Sequence, residues 1–493
     1  MKQKYLIIPS VPTPNGHLHL GHIGGPFLTA DIITRVLQRQ GHEAKMICGT
    51  DTYESFVVHK AVNENKSSEE ICHDYHKKIA ADLQAMDINI DTFINPLADE
   101  WRNQYGEWQH FIFKKLENMG AITAIDEQVL WDEKAKRYRV GCWLQGKCPV
   151  CKMYAESYFC ENCGAYFRPE ELILNKNTFF SEKTTNLFMK VPTDLVHSSL
   201  KKLYQDTMTQ QKGLMRLTAN SDWGLAVPSN ASLPSSTLFS YGLIFAYFLM
   251  MGKIAGKEVN AFSINSSVKT ISCFGIDNAV AFLASALGVT HHCKEYKPFD
   301  YLIPNYFYLL NNKKFSKSKG HAIFVNDLII KSSVSSDIVR FFLATINVRD
   351  QVGYFSADEF VVFYNKTILW INAAIINQFK ANQDDEMPIL CDGILKSLLK
   401  NQNDLLHPSQ FLPHLAVKTI YSWLTYTCSS HQWLKGMSLL MYPFMPKLAQ
   451  CIWHNLGYLG CPAEMQHETT IPIPLTFPHY KQLSRDDLHA VAL

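Results

Sequence analysis

Neither sign of charge dominates this chain: 47 lysines and arginines against 45 aspartates and glutamates leave a formal net charge of +2 over 493 residues. A globally basic nucleic-acid binder is thereby excluded, and any polyanion must be met by a local patch. Long apolar runs are lacking too. The longest, residues 238–251, falls short of the roughly 20 residues that a membrane-spanning helix needs. It also carries Ser240 and Gly242, so it predicts a buried core segment. Internal repeats and low-complexity segments are missing. Pro9, Pro12 and Pro14 interrupt the apolar start and no small-residue cleavage site follows. A cytoplasmic protein without a membrane partner is expected. The length predicts about three domains, each burying its own core.

What is present begins with residues 5–9, an apolar run that reads as a short buried strand, followed by the turn-rich Pro12-Thr13-Pro14-Asn15-Gly16. A helix is predicted over about residues 20–40. Its start carries His19-Leu20-Gly21-His22, two imidazoles one turn apart beside a glycine, where a phosphate can meet both side chains and backbone N–H groups. Some three hundred residues later comes a basic loop, Lys313-Lys314-Phe315-Ser316-Lys317-Ser318-Lys319-Gly320, suited to the charge that develops on departing pyrophosphate. Thirteen cysteines include Cys148-Pro149-Val150-Cys151 and Cys160-Glu161-Asn162-Cys163. Two such knuckles predict a tetrahedral zinc site with every position taken by sulfur, so the metal is expected to be structural. The other nine cysteines lack such spacing and are expected to be reduced thiols.

Strand and helix patterns alternate up to about residue 95, with residues 44–48 as a second strand ending at Gly49-Thr50-Asp51. That is the first half of a doubly wound α/β sheet, whose ligands sit beyond the carboxyl ends of the strands. His22 and Asp51 are therefore expected in one crevice. The sheet is expected to resume near Leu214, with residues 269–274 as a strand, Gly275-Ile276-Asp277 as its crevice turn and residues 279–287 as the next helix. Ser335-Ser336-Asp337 reads as a helix cap. Helices are predicted over residues 338–345, 357–379, 412–428 and 432–455.

Most of the chain resembles the methionyl-tRNA synthetase family of class I aminoacyl-tRNA synthetases. The resemblance is carried by Pro14-Asn15-Gly16-His17-Leu18-His19-Leu20-Gly21-His22, Gly49-Thr50-Asp51, the cysteine knuckles, Asp222-Trp223-Gly224-Leu225-Ala226-Val227-Pro228, Lys314-Phe315-Ser316-Lys317-Ser318 and Tyr442-Pro443-Phe444-Met445-Pro446. It implies a Rossmann-like doubly wound parallel sheet, a zinc-knuckle connective insert and a C-terminal helix bundle. The expected parts are a first catalytic half over 1–118, the insert over 119–212, a second catalytic half over 213–330 and a shortened helical region over 331–493. It also implies an ATP-dependent ligase that forms an aminoacyl adenylate, with ATP and Mg2+ as cofactors beside structural zinc. By the same resemblance His19, His22, Lys314 and Lys317 are catalytic. Asn15, Gly16, Gly21, Gly275, Asp277, Ser316 and Ser318 bind ATP. Val11, Asp51, Leu238, Tyr241, Phe245, Phe282 and Ala286 line the amino-acid site, and Cys148, Cys151, Cys160 and Cys163 hold the metal.

Departures from the family cluster in two places. Phe282 and Ala286 stand where the family has histidine and tryptophan. Leu238-Phe239-Ser240-Tyr241-Gly242 replaces tryptophan-leucine-aspartate-alanine-proline, Phe245 replaces a tyrosine, and Tyr53 and Glu54 replace histidine and glycine. Such exchanges are expected to change the preferred side chain. Ala219-Asn220 replaces an arginine-aspartate pair, and Ala374 and Gln378 replace the asparagine and arginine that read the anticodon, which removes base-edge hydrogen bonds and a charge. Three readings stay open: a ligase with altered amino-acid specificity and a non-standard acceptor, either a small-molecule amine or an atypical tRNA; a divergent methionyl-tRNA synthetase; and a catalytically silent binding paralogue. A monomer is expected.

Overall fold

The computed structural model describes residues 2–174, 182–194, 199–228, 236–310, 313–314, 322–332, 334–381, 392–466 and 476–488. Its centre is a five-stranded parallel sheet in the order Tyr301–Asn305, Lys269–Gly275, Lys4–Pro9, Glu43–Gly49, Thr92–Ile94. The first strand lies in the middle. The chain leaves it toward Glu43–Gly49 on one side and returns much later to Lys269–Gly275 on the other, so the order reverses between these two neighbours. Ligands of such sheets bind at that switch point. Two backbone bonds pin the segment leaving the first strand across the gap: Ser10 N–H donates to Cys273 O at 2.8 Å and Asp51 N–H to Pro12 O at 3.0 Å.

The predicted helix after the first strand forms, with an interruption. Leu20–His22 and Leu28–Arg39 are α-helical, whereas Ile23–Phe27 winds as a π-turn holding Pro26. Proline lacks the N–H that an α-helical ladder requires at that position. The segment expected to be core does form a buried helix, Ile244–Gly256.

The parallel sheet does not resume near Leu214. Leu214–Arg216 pairs antiparallel with Glu182–Lys190, which pairs in turn with Ile122–Asp132 in a separate four-stranded antiparallel sheet. Short apolar strands look alike in sequence whichever sheet they join.

Helices follow from Ser336 onward. The stretch Ala357–Ala381 is long and apolar enough to cross a membrane by length and composition. Phe360, Tyr364, Ile368, Ile371 and Ile375 form one buried stripe along it, set against the other helices. The helix predicted over 432–455 is broken into Ser430–Met441 and Pro446–Asn455, and the one over 412–428 into Pro413–Ala416 and Lys418–Leu424. Asp392–Leu406 is a further helix that the sequence reading missed. Ser335-Ser336-Asp337 does begin a helix, yet no side chain of Ser335 caps it. Asp337 instead accepts Lys447 N–H at 3.2 Å and Leu448 N–H at 2.7 Å, capping the first turn of Pro446–Asn455.

One buried carboxylate ties the central helix to this bundle. Asp31, 1% exposed, accepts Arg35 Nε at 2.6 Å and Arg340 Nη2 at 2.5 Å. Arg340 also donates to the carbonyls of Met86 at 3.1 Å, Pro443 at 3.1 Å and Phe444 at 3.2 Å. Burial pushes the Asp31 carboxyl up, but the two guanidiniums outweigh it and hold the group below its usual range. Asp31→Asn leaves two buried cations short of their counter-ion, which is expected to cost about 3–5 kcal/mol. Denaturant unfolding of the wild type and the variant measures it; a loss under 1 kcal/mol would contradict this assignment.

Candidate active site

His19 and His22 follow the first strand and stack face to face, ring centroids 3.7 Å apart. Each ring accepts the other residue's backbone N–H on Nδ1, at 3.3 Å for His19 N and 3.4 Å for His22 N. An imidazole that accepts on Nδ1 carries its proton on Nε2, the tautomer that can donate to a phosphate oxygen. Asp82 fixes the preceding turn. Its buried carboxylate accepts Leu18 N–H at 2.8 Å and lies 3.1 Å from His17 Nδ1. Sequence reasoning missed Asp82. The available signal was an acid in register with the buried Ile71, Tyr75 and Ile79 of the helix Ser68–Ala85.

Backbone on either side of the basic loop is paired, and on the far side it is paired with this turn. Lys313–Lys314 pairs with Leu309 and Leu310, and the returning leg bridges Phe324 to His19, with Leu20 N–H on Ile323 O at 3.0 Å and Val325 N–H on Leu18 O at 3.2 Å. Of the predicted loop residues, only the backbone of Lys314 is described; Ser316, Lys317 and Ser318 lie outside the described residues. The histidine turn is thus laddered to residues 323–325, a few positions beyond the lysine motif.

Across the switch point, Gly275-Ile276-Asp277 closes the strand Lys269–Gly275. Asn278 joins this turn to the amino-acid side by accepting Tyr241 Oη at 3.1 Å. The cysteine module presses on both. Phe159 lies 5.7 Å from the Tyr241 ring and Tyr158 5.3 Å from the Phe239 ring. Gly164, at φ +73°, sits so close that an added Cβ would lie 2.7 Å from Ile276 O. Only glycine suits both the backbone angle and that approach.

The four sulfurs of Cys148, Cys151, Cys160 and Cys163 all lie within 4.8 Å of one another, with 3.8 Å between Cys148 and Cys163 and 3.6 Å between Cys151 and Cys160. Tetrahedral ligation at about 2.3 Å requires sulfurs roughly 3.8 Å apart, so the set fits zinc. None of the described cysteines forms a disulfide.

The second strand delivers Asp51, 2% exposed, and Glu54, 5% exposed. Ser240 Oγ lies between them, 3.3 Å from Asp51 Oδ2 and 3.0 Å from Glu54 Oε1. One hydroxyl proton cannot serve two ionised carboxylates. Burial, then mutual repulsion, pushes Asp51 well above its ordinary range, and burial pushes Glu54 up to about 7. No lysine or arginine among the described residues offsets either charge. An aromatic cluster extends from the same segment: Tyr53 stands 5.5 Å from Trp223 and 5.9 Å from Tyr105, which stands 4.9 Å from Tyr247. Trp223 is held by its Nε1 on Thr52 O at 2.9 Å.

Of the other expected pocket residues, Phe245 packs on Phe262 at 5.1 Å, and Phe282 packs on Phe248 at 5.1 Å and on Phe274, next to the crevice turn, at 5.5 Å. Ala286 is buried in the helix Ala279–His292. Leu238 and Val11 are buried beside Ser240 and Pro12 in sequence, Asn15 turns onto Thr13 O at 2.9 Å, Gly16 precedes the histidine turn and Gly21 lies within it. Asn220, in place of the family's charged pair, accepts Thr184 and Asn186 in a buried polar cluster.

A parallel sheet with the histidine turn, the acidic strand end and the glycine-aspartate turn around one switch point defines a nucleotide-binding Rossmann-type ligase. The family model described as tRNA synthetases class I (M) matches residues 5–379. The methionine–tRNA ligase of Pyrococcus furiosus is 24% identical over 92% of this chain and 72% of its own length, and that of Thermoplasma volcanium 25% identical over 92% of each. The Mycobacterium tuberculosis methionyl-tRNA synthetase in complex with methionyl-adenylate matches with a TM-score of 0.68 at 15% identity, covering 93% of this chain and 94% of that one, a likeness of fold alone. The chain belongs to the class I tRNA synthetase (M) family: it is a methionyl-tRNA-synthetase-like, ATP-dependent ligase.

Two outcomes follow from this geometry. Elemental analysis is expected to find one zinc per chain, lost in Cys160→Ser, and stripping it is expected to loosen Tyr241 and Asp277 and so raise the KM for ATP; unchanged ATP kinetics in the zinc-free protein would refute the buttress. The pH dependence of stability reports on Glu54. Its folded pKa is raised, so at intermediate pH the unfolded chain binds fewer protons. The contribution is fully present below its ordinary 4.5 and lost as pH rises through about 7. Relative to Glu54→Gln, the wild type is expected to lose about 2–3 kcal/mol over that window, read by denaturant unfolding at each pH; parallel profiles would contradict the assignment.

Proposed function

We propose that this chain activates an α-amino acid with ATP as an aminoacyl adenylate, through a pocket whose preference departs from methionine, and passes the acyl group to an acceptor other than methionine tRNA. The observation that carries the reading is a backbone junction: residues 323–325, which follow the lysine motif in the chain, are hydrogen-bonded to Leu18, His19 and Leu20 of the histidine turn. Lys314 and Lys317, close to that junction in sequence, supply charge to the phosphates that meet His19 and His22.

Chemically, an amino-acid carboxylate oxygen forms a bond to the α-phosphorus while the bond from that phosphorus to the bridging oxygen of pyrophosphate breaks. No protein nucleophile and no proton transfer are required, so positioning and charge stabilisation suffice. Asp51 holds the α-ammonium, Gly275 and Asp277 the ribose, and the Nε2 edges of the histidines the phosphates. ATP enters as its magnesium complex, and zinc on the four cysteines keeps the Gly275–Asp277 turn in place. The acceptor reading rests on the helix Leu369–Ala381, which carries Ala374 and Gln378 where the family reads an anticodon. A second reading, a divergent enzyme that charges tRNA with methionine, is favoured by relatives of that name matching over 92% of the chain.

Amino-acid-dependent ATP–pyrophosphate exchange, followed by charging of bulk tRNA, separates the two. Exchange with a non-methionine substrate and no charging is expected. Robust exchange with methionine and charging of bulk tRNA would establish the second reading. Lys317→Ala is expected to slow exchange about 100-fold or more at an unchanged Tm; an unaltered rate would refute the role of the loop.

A further inference from the structure

The amino-acid pocket contains one more acid than an α-ammonium can use. Asp51 and Glu54 are both buried, both within hydrogen-bond reach of the single Ser240 hydroxyl, and opposed by no lysine or arginine among the described residues. A buried carboxylate without a counter-ion is strongly disfavoured unless a proton or a ligand supplies the charge. The surroundings select between ligands. Tyr53, Tyr105, Trp223 and Tyr247 form a chain of ring contacts that starts from the segment carrying the pair, since Tyr53 and the Trp223 anchor Thr52 lie between Asp51 and Glu54 in the chain, and Tyr241 bonds Asn278 on the other side. Aromatic faces and carboxylates together are the chemistry that holds a desolvated cation. They are poorly matched to a thioether, which gains nothing from a second negative charge.

We propose that Glu54 sets the amino-acid specificity of this site by holding the second ammonium of a short-chain diamino acid whose α-ammonium lies on Asp51. The inference rests on the adenylation reading for its site but not for its binding test. Chain length follows from the bridge. Carboxylates that share one hydroxyl stand no farther apart than two hydrogen bonds laid end to end, which suits ammonium groups separated by two or three carbons, as in diaminopropionate and diaminobutyrate. The longer arm of lysine would have to fold back on itself. Ser240 keeps the two acids at this spacing, and the side chain of the ligand leaves its carboxylate free to face the α-phosphate.

The test uses the full-length, zinc-replete protein. Binding of diaminopropionate, diaminobutyrate, lysine, methionine and aminobutyrate is measured by titration calorimetry without ATP, and the same panel is run in ATP–pyrophosphate exchange. Wild type is expected to favour one of the two short diamino acids over aminobutyrate, its monoamine counterpart, about 100-fold, the scale of a buried charge pair. Glu54→Gln is expected to reduce that preference at least 30-fold, and Glu54→Asp to restore part of it; thermal unfolding checks that both variants fold. A wild type that binds methionine or another neutral amino acid best overturns the proposal, as does a preference that Glu54→Gln leaves intact. Exchange with methionine alone would sink the specificity assignment and leave adenylation standing. Glu54-dependent binding of a diamino acid with no exchange for any substrate would do the reverse.

Discussion

The structure depends most on Asp31, one carboxylate in the middle of the helix that follows the first strand. Two guanidiniums converge on it, Arg35 from its own helix and Arg340 from the helix Ser336–Thr345. Arg340 then reaches the carbonyls of Pro443 and Phe444 in the C-terminal bundle. A second arginine of the same helix, Arg39, donates to Gln402 at 2.6 Å and to Leu439 O at 2.7 Å. The helix that presents His19 and His22 to the crevice is thus the helix that anchors the bundle. Buried charge of this kind contributes less net stability than apolar packing would, but it admits only one arrangement of the parts that satisfies every donor.

The walls of the crevice are held in a similar way. The histidine turn is fixed from below by Asp82, from its own ladder with Phe324, and by the stacked pair of rings. The Gly275–Asp277 turn is pressed by Gly164 of the cysteine module, and Tyr241 is clamped between Phe159 and Asn278. The cysteine insert therefore does more than complete a surface. It forms the wall against which the Gly275–Asp277 turn and Tyr241 are both set.

Much of this could be read from the residues, for physical reasons that also mark where the reading stops. The histidine turn, the cysteine knuckles and the central strands declare themselves because local spacing dictates them. The strand at Leu214 was misassigned because strand partners are chosen by tertiary packing, and a three-residue apolar strand fits either sheet. Ser335-Ser336-Asp337 has the composition of a cap, yet Asp337 caps a helix more than a hundred residues away. Phe245 and Phe282 align with pocket positions, and each packs on aromatic rings distant in sequence, Phe262 for the one and Phe248 and Phe274 for the other, contacts that no linear spacing encodes. Glu54 was visible as a departure from the family, whereas its meeting with Asp51 across Ser240 required the fold.

That meeting clarifies how a scaffold of this kind changes substrate. In adenylate formation every bond made or broken belongs to the two ligands, so the protein contributes only position and charge. The histidine turn and the cluster of Asp51, Ser240 and Glu54 stand at different points around the switch point, so on the proposed reading a change around Asp51 leaves the histidine turn intact. Where the family places an aspartate, this chain has Ser240, and where it places a glycine, this chain has Glu54. The exchange moves a carboxylate from one wall to the strand end that already carries Asp51, and it supplies the hydroxyl that bridges them. A pocket with its acids separated needs one ammonium; a pocket with its acids paired is satisfied by two ammonium groups on one short carbon chain.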